Sequence, residues 1–157
     1  MAQLFASFAS FPRELSADRP LMDIVSSHFG ELPRFEVVSQ RWMAVAGSSP
    51  TVERLSCYRV SGRPVSLHLV RFDLGALPQR FAWFFLAGER LGALLEGQGW
   101  PRRQLEVSFF PAASGLLAQL PWESLGFSAF PALVRRFWVG EGMQTVVRVW
   151  EILPVSL

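Results

Sequence analysis

Lysine and asparagine are both missing from this 157-residue chain, so each of its fifteen cationic side chains is an arginine. Any anion bound here meets a planar, permanently charged fork rather than a flexible ammonium. Cysteine is scarce as well: the lone Cys57 excludes an internal disulfide and a thiolate metal cluster. His28 and His68 are the only histidines, and no HExxH-type spacing accompanies them, so no metal is expected; a Gly-rich phosphate loop is missing too, and no organic cofactor is expected. Long hydrophobic runs are also wanting. The densest, Phe81 to Ala87, is far too short to span a bilayer, and Met1 to Phe11 lacks the basic start of a signal peptide. No membrane is therefore expected, and the cytoplasm is the default. The net charge is only +2, and the arginines are spread along the chain apart from Arg102–Arg103 and Arg135–Arg136. With neither a basic stripe nor a recognised motif, nucleic acid is not an expected partner.

What is present is apolar. Half of the chain is hydrophobic, 13% is aromatic and only 18% is charged, which argues against disorder. One domain over 1–157 is expected, with either a large core or an apolar pocket.

Punctuation divides the chain into two similar halves. Ser16 or Asp18 as cap, Pro20 in the first turn and Gly30 as the stop frame a helix whose Leu21, Ile24, Val25 and His28 share one face. A strand over 34–46 follows, broken by Gly47-Ser-Ser-Pro50. Val52–Val60 and Arg63–Phe72 then form a hairpin about Ser61-Gly62. If those two residues are the whole loop, partners have positions summing to 123, which sets Arg54 opposite Leu69 and places Arg71 on the same face. After a loop and an aromatic cluster (Phe81, Trp83, Phe84, Phe85), the order repeats. A helix spans Gly88–Glu96, a strand Gln104–Phe110 and a short helix Ala112–Leu120. Pro121 and Gly126 mark the next loop, before a hairpin of Ala132–Val139 and Met143–Leu153 about Gly140-Glu-Gly142. The expectation is an α+β fold, a mainly antiparallel sheet of about six strands with helices on one face.

The ordered set of motifs resembles a known superfamily. Val52-Glu-Arg-Leu-Ser-Cys-Tyr-Arg-Val-Ser-Gly-Arg-Pro-Val is similar to the first hairpin of chorismate pyruvate-lyases and UTRA effector-binding domains. Arg90-Leu-Gly-Ala-Leu-Leu looks like the lyase's second helix, Met22-Asp23 sits where the family carries a Met-Thr pair near its ligand, and Arg135-Arg-Phe down to Trp150-Glu-Ile-Leu-Pro154 resembles its closing strands. The longer stretch between the second helix and the last hairpin is closer to UTRA domains.

The resemblance implies a site. In the lyases an Arg on each strand of the first hairpin grips the substrate's carboxylates, and a Glu on the last strand contacts the ring oxygen. Arg54 matches the first Arg. Leu69 stands where the second belongs, with Arg71 a diagonal substitute, and Glu151 is one position from the family's Glu, whose slot Trp150 occupies. Arg54 and Glu151 are thus the candidate catalytic pair, and Arg54, Arg71, Arg135, Arg148 and Met22 the candidate substrate-binding residues. Each has a plainer role available. Arg54, Arg71 and Glu151 could serve internal ion pairs. Arg135 and Arg148 oppose each other only across a two-residue turn, and a longer Gly-Glu-Gly loop separates them. Met22, Phe81, Trp83 and Phe84 form either a lid over a flat ring or ordinary core, and the Cys57–His68 pair, on one face by the same register, has no third orienting residue.

Three functional readings follow. The first is a stand-alone lyase-like protein that binds chorismate or a related aromatic carboxylic acid, expelling pyruvate to leave 4-hydroxybenzoate. The second is a non-catalytic UTRA-like module for a small anionic or aromatic effector, and the third a scaffold with a filled core. A homodimer is kept open.

Overall fold

The computed structural model describes residues 11–43, 50–122, 124 and 130–155. The chain opens with a short helix α1 (Phe11–Leu15) and α2 (Leu21–Phe29). Strands β1 (Arg34–Met43), β2 (Thr51–Val60) and β3 (Arg63–Asp73) complete the first half. The second half runs α3 (Gln79–Leu86), α4 (Leu91–Gln98), β4 (Arg103–Phe110), a 3-10 turn at Gly115–Gln119, then β5 (Ala132–Val139) and β6 (Val147–Pro154). All six strands join one antiparallel sheet in the order β1-β2-β3-β6-β5-β4. The repeated element order thus becomes spatial: each half gives three strands, and the halves meet edge to edge at β3 and β6.

The α-helices lie on one face, as their buried residues require. Leu21, Ile24 and Val25 of α2 pack on Tyr58, Val60, Leu133 and Leu153, while Phe85 of α3 and Leu95 of α4 pack on Val52, Val70, Phe72, Phe137 and Val149. The far face has its own core. There Leu55, Leu67, Leu69, Val134 and Ile152 are covered by Leu117 and Leu120. A sheet covered on both sides explains why β2 and β3 are buried at nearly every position rather than in alternation.

Three local expectations are corrected. The cluster at 81–85 lies in a helix, α3, which its all-round aromatic content concealed. The segment expected as a short helix over 112–120 makes only a 3-10 turn. The first hairpin also changes register. Its turn is as expected, with Ser61 and Gly62 both at positive φ and Val60 paired with Arg63. A bulge between Tyr58 and Arg59 then moves every later pair by one, so Arg54 faces Val70, Ser56 faces His68 and Leu55 faces Leu69. One residue of slip exchanges the two faces of a strand, and the site depends on that exchange. The expected chain breaks at Gly47-Ser-Ser and Gly126 lie outside the described residues. None of the described helices is long and apolar enough to cross a membrane.

The last hairpin has a wider loop than a two-residue turn. Val139 pairs with Val147, and the Val146 N–H donates to the Val139 carbonyl at 2.9 Å. The loop folds back so tightly at Gly140 that an added Cβ would fall on the Gln144 carbonyl. Gly140→Ala must therefore push backbone aside, an overpacking cost of about 1–3 kcal/mol. A midpoint lowered by about 2–4 °C per kcal/mol, read by thermal melts, is the expected result. An unchanged midpoint would show that the loop is not held in this conformation.

Candidate functional site

Across the middle of the helix-facing surface runs one row of neighbours: Ser56 on β2, His68 on β3, Glu151 on β6 and Arg135 on β5. All four are buried. Arg54 stands one alternation along β2 from Ser56, on the same face. The bulge is what brings Arg54 and Glu151 to a common surface.

The two buried arginines are served very differently. Arg135, with no exposure, approaches Glu151 Oε2 with its Nε at 2.6 Å. Although that contact is short, the carboxylate oxygen lies off the N–H direction, so it acts as a charge contact more than an aligned hydrogen bond. Its terminal nitrogens donate to the carbonyls of Leu15, Ala17 and Arg19 at 3.4, 3.4 and 2.7 Å. Arg135 therefore clamps the α1–α2 connector to the sheet. Arg54 is just as buried, 1% exposed, yet it donates only to the Phe85 carbonyl at 3.2 Å. Its Nε has no acceptor, and among the described residues no carboxylate pairs with it. Phe85 lies 3.7 Å beneath its guanidinium, a cation–π contact that replaces part of the lost hydration. Burial lowers the Arg54 pKa to about 10, with Tyr58 and Glu89 opposing the shift. At neutral pH it remains a cation.

A cavity of about 40 Å³ opens in front of this wall. Sheet residues Arg54, Ser56, Tyr58, His68 and Glu151 form its floor, and Pro20, Leu21, Arg90, Leu91, Leu95 and Arg102 its cover. Three of the lining groups are guanidinium and one is a carboxylate. Arg102 is bonded to Asp18 at 3.0 Å, and the Glu151 carboxylate is taken by Arg135, so the chamber is cationic. Burial pushes the Glu151 pKa up, against the pull of Arg135 and Arg102. Phe35, Val70, Phe137 and Val149 supply apolar walls.

His68 is held from both sides. Ser56 Oγ lies 3.1 Å from Nδ1 and Ser66 Oγ 2.8 Å from Nε2. A neutral ring suits this, since one nitrogen can donate and the other accept. Burial, then the charges of Arg54 and Arg135, push its pKa down to about 3. The unfolded chain, with an ordinary histidine near 6.5, takes up the proton that the folded chain refuses. Stability from this group is complete above pH 6.5 and is lost as pH falls towards 3, at roughly 1.4 kcal/mol per unit. Urea melts at pH 7 and pH 5 should differ by roughly 2 kcal/mol more in the natural chain than in His68→Gln. Equal pH responses would mean that His68 is protonated in the fold.

The sequence candidates thus separate. Arg54 and Glu151 come together at the cavity, and Arg135 stands behind Glu151. Met22 is half-buried on α2, packed into the core beside that helix's buried residues, and does not line the cavity. Arg71 and Arg148 are on the far face, where they are register partners of one another, so neither can assist Arg54; the slot across from Arg54 holds Val70. Cys57 and His68 also fall on opposite faces, which removes the Cys–His pairing. Phe81 packs in the core, but Trp83 and Phe84 are exposed, 68% and 45%, so these two join neither the core nor a lid over the cavity. Phe85 is the aromatic that meets the guanidinium. Sequence reasoning missed Arg90 and Arg102. Both stand in segments it did quote, the helix start at Arg90 and the Arg102–Arg103 pair, but only the fold brings them over the sheet.

No family model matches the chain, and no curated protein does either. Solved structures do match. The effector domain of PhnF from Mycobacterium smegmatis superposes with a TM-score of 0.60 at 12% identity, covering 88% of this chain and 90% of that one. The C-terminal domain of the histidine utilization repressor from Pseudomonas syringae pv. tomato gives 0.54 at 15% identity, over 78% of this chain and 91% of that one. The ligand-binding domain of a putative GntR-family regulator from Bordetella bronchiseptica gives 0.52 at 11% identity, over 77% and 85%. These likenesses establish the fold. It is the chorismate lyase-like fold of UTRA domains, as the sequence resemblance implies.

Proposed function

We propose that the chain is a sensing module that binds a small organic anion in the helix-side cavity and performs no chemistry on it. One observation carries this reading: Arg54 is a buried cation with a single carbonyl acceptor and no carboxylate partner among the described residues. A buried charge left in that state is costly, and an anionic ligand is the partner that relieves it, through bidentate contacts. Arg90 and Arg102 add charge from the cover, and Phe35, Leu91 and Phe137 suit a flat ring. Similarity in fold to an effector domain and a ligand-binding domain supports the same class.

The lyase reading draws on one feature, the presence of Glu151 in the same cavity. Against it, Glu151 is ion-paired to Arg135, and the second hairpin Arg is replaced by an apolar residue in either register. The free volume also favours a sensor that changes shape. About 40 Å³ holds about three waters, less than any ring acid requires, so binding must displace the cover. Leu95 is the one buried side chain described in α4, as Phe85 is in α3, so α4, which supplies Leu91 and Leu95 to the cover, is lightly held and able to yield.

Calorimetric titration of the full chain with 4-hydroxybenzoate and chorismate, beside a pyruvate assay on the chorismate sample, tests the proposal. Saturable binding of an aromatic carboxylate without pyruvate release is expected, weakened at least about ten-fold by Arg54→Met. Pyruvate release would restore the lyase. Binding that ignores Arg54→Met, or none by either acid, would remove the module.

A further inference from the structure

On the sheet face away from the α-helices, residues far apart in sequence fall into one cross-strand row. It runs from Arg41 on β1 through Glu53, Arg71, Arg148 and Trp138 to Arg103 on β4, each the register partner of the next. Four guanidinium groups therefore share a line with one carboxylate. Glu53 is already divided: Arg41 reaches its Oε1 at 2.6 Å and Arg71 its Oε2 at 2.7 Å. Nothing is left for Arg148. It is exposed, directly opposite Arg71, and forms no ion pair among the described residues.

We propose that this face carries a second anion site, independent of the first, in which Arg71 and Arg148 together grip an oxyanion of the phosphate class. Two like charges placed directly across a strand pair repel one another, and a bound anion between them reverses the sign of that interaction. The space is present: a cavity of about 310 Å³ is lined by both arginines and by Thr51 and Thr145, the chain's only two threonines. Their hydroxyls are donors suited to phosphate oxygens. Asp73 also borders the cavity. Its Oδ1 accepts the Gly75 N–H at 2.9 Å, and it pairs with neither arginine. Trp150 beside Arg71, with the guanidinium carbon 5.9 Å from its ring centroid, limits the freedom of that side chain, so part of the fork is already oriented before an anion arrives.

The test is a thermal and calorimetric titration of the full chain with inorganic phosphate, against potassium chloride at matched ionic strength so that screening is held constant. Phosphate should raise the midpoint where chloride does not. Arg148→Gln should weaken phosphate binding about ten-fold or more, yet melt no lower than the natural chain in low-salt buffer without phosphate, because a repulsive pair has been removed. Arg54→Met, on the other face, should keep the phosphate response. Equal effects of phosphate and chloride, a response untouched by Arg148→Gln, or one abolished by Arg54→Met would each overturn the site.

Discussion

Arg54→Met should melt higher than the natural chain while losing its response to an aromatic carboxylate. Most replacements of a fully buried residue destabilise, so the sign of this effect is diagnostic. In the ligand-free fold the guanidinium has given up water for one carbonyl and the face of Phe85. A methionine of similar length fills the same space with no charge to desolvate. Exchanging buried ionic groups for apolar ones of like volume is often neutral or stabilising by about 1–4 kcal/mol. Losing the Phe85 hydrogen bond and the ring contact takes back about 1–2 kcal/mol. The difference centres on a net gain of about 1 kcal/mol, a rise of about 2–4 °C in midpoint. Thermal melts with and without ligand give both readouts. A midpoint lowered by more than about 5 °C would make Arg54 a structural cation, in the manner of Arg135, and the sensing proposal would lose its basis. The strain carried by Arg54 is the kind expected where stability has been traded for binding.

How much of this could be read from the sequence depended on whether the signal was local. Gly, Pro and Ser punctuation placed α2, the first hairpin's turn and β5 within a residue or two, because a turn's backbone demands are met by the residues that form it. The exchange of faces in the first hairpin was hidden, since the bulge at Tyr58/Arg59 has no side-chain signature of its own. It altered the site nonetheless. Glu151 comes to share a surface with Arg54, and Arg71, counted as that residue's helper, goes to the opposite side with Arg148. The far-face row was less legible still. Its members come from all six strands and span the chain from Arg41 to Arg148, so arginines that look evenly scattered in sequence become one charged line only through the sheet order β1-β2-β3-β6-β5-β4. Arg135 was named from the sequence only as a candidate ligand contact, and its burial against three carbonyls could not be foreseen, because those partners lie at the other end of the chain.

Arg135→Ala is the change expected to harm the fold most. It removes a fully buried cation that donates to three carbonyls and leaves the Glu151 carboxylate in a dry setting without its counter-ion. Breaking a buried pair from one side typically costs about 3–5 kcal/mol, which for this chain is a fall of about 6–20 °C. The three connector carbonyls lose their donor as well, so α1 and the start of α2 should loosen first, visible as early amide exchange over 15–25. The pH dependence follows from Glu151. Burial already raises its folded pKa above the ordinary value, and Arg135 is the largest influence holding it down. Without that arginine the pKa climbs further. A carboxyl whose folded pKa is raised contributes stability below its unfolded pKa and loses it as pH rises. The deficit of Arg135→Ala relative to the natural chain should therefore grow as pH rises and shrink as it falls, because the protonated acid needs no partner. Arg135→Ala combined with Glu151→Gln should recover much of the loss at neutral pH and show no such pH trend. If the single variant's deficit were instead constant from pH 5 to 8, the carbonyl clamp alone would hold this corner of the fold, and the ion pair would contribute nothing to it.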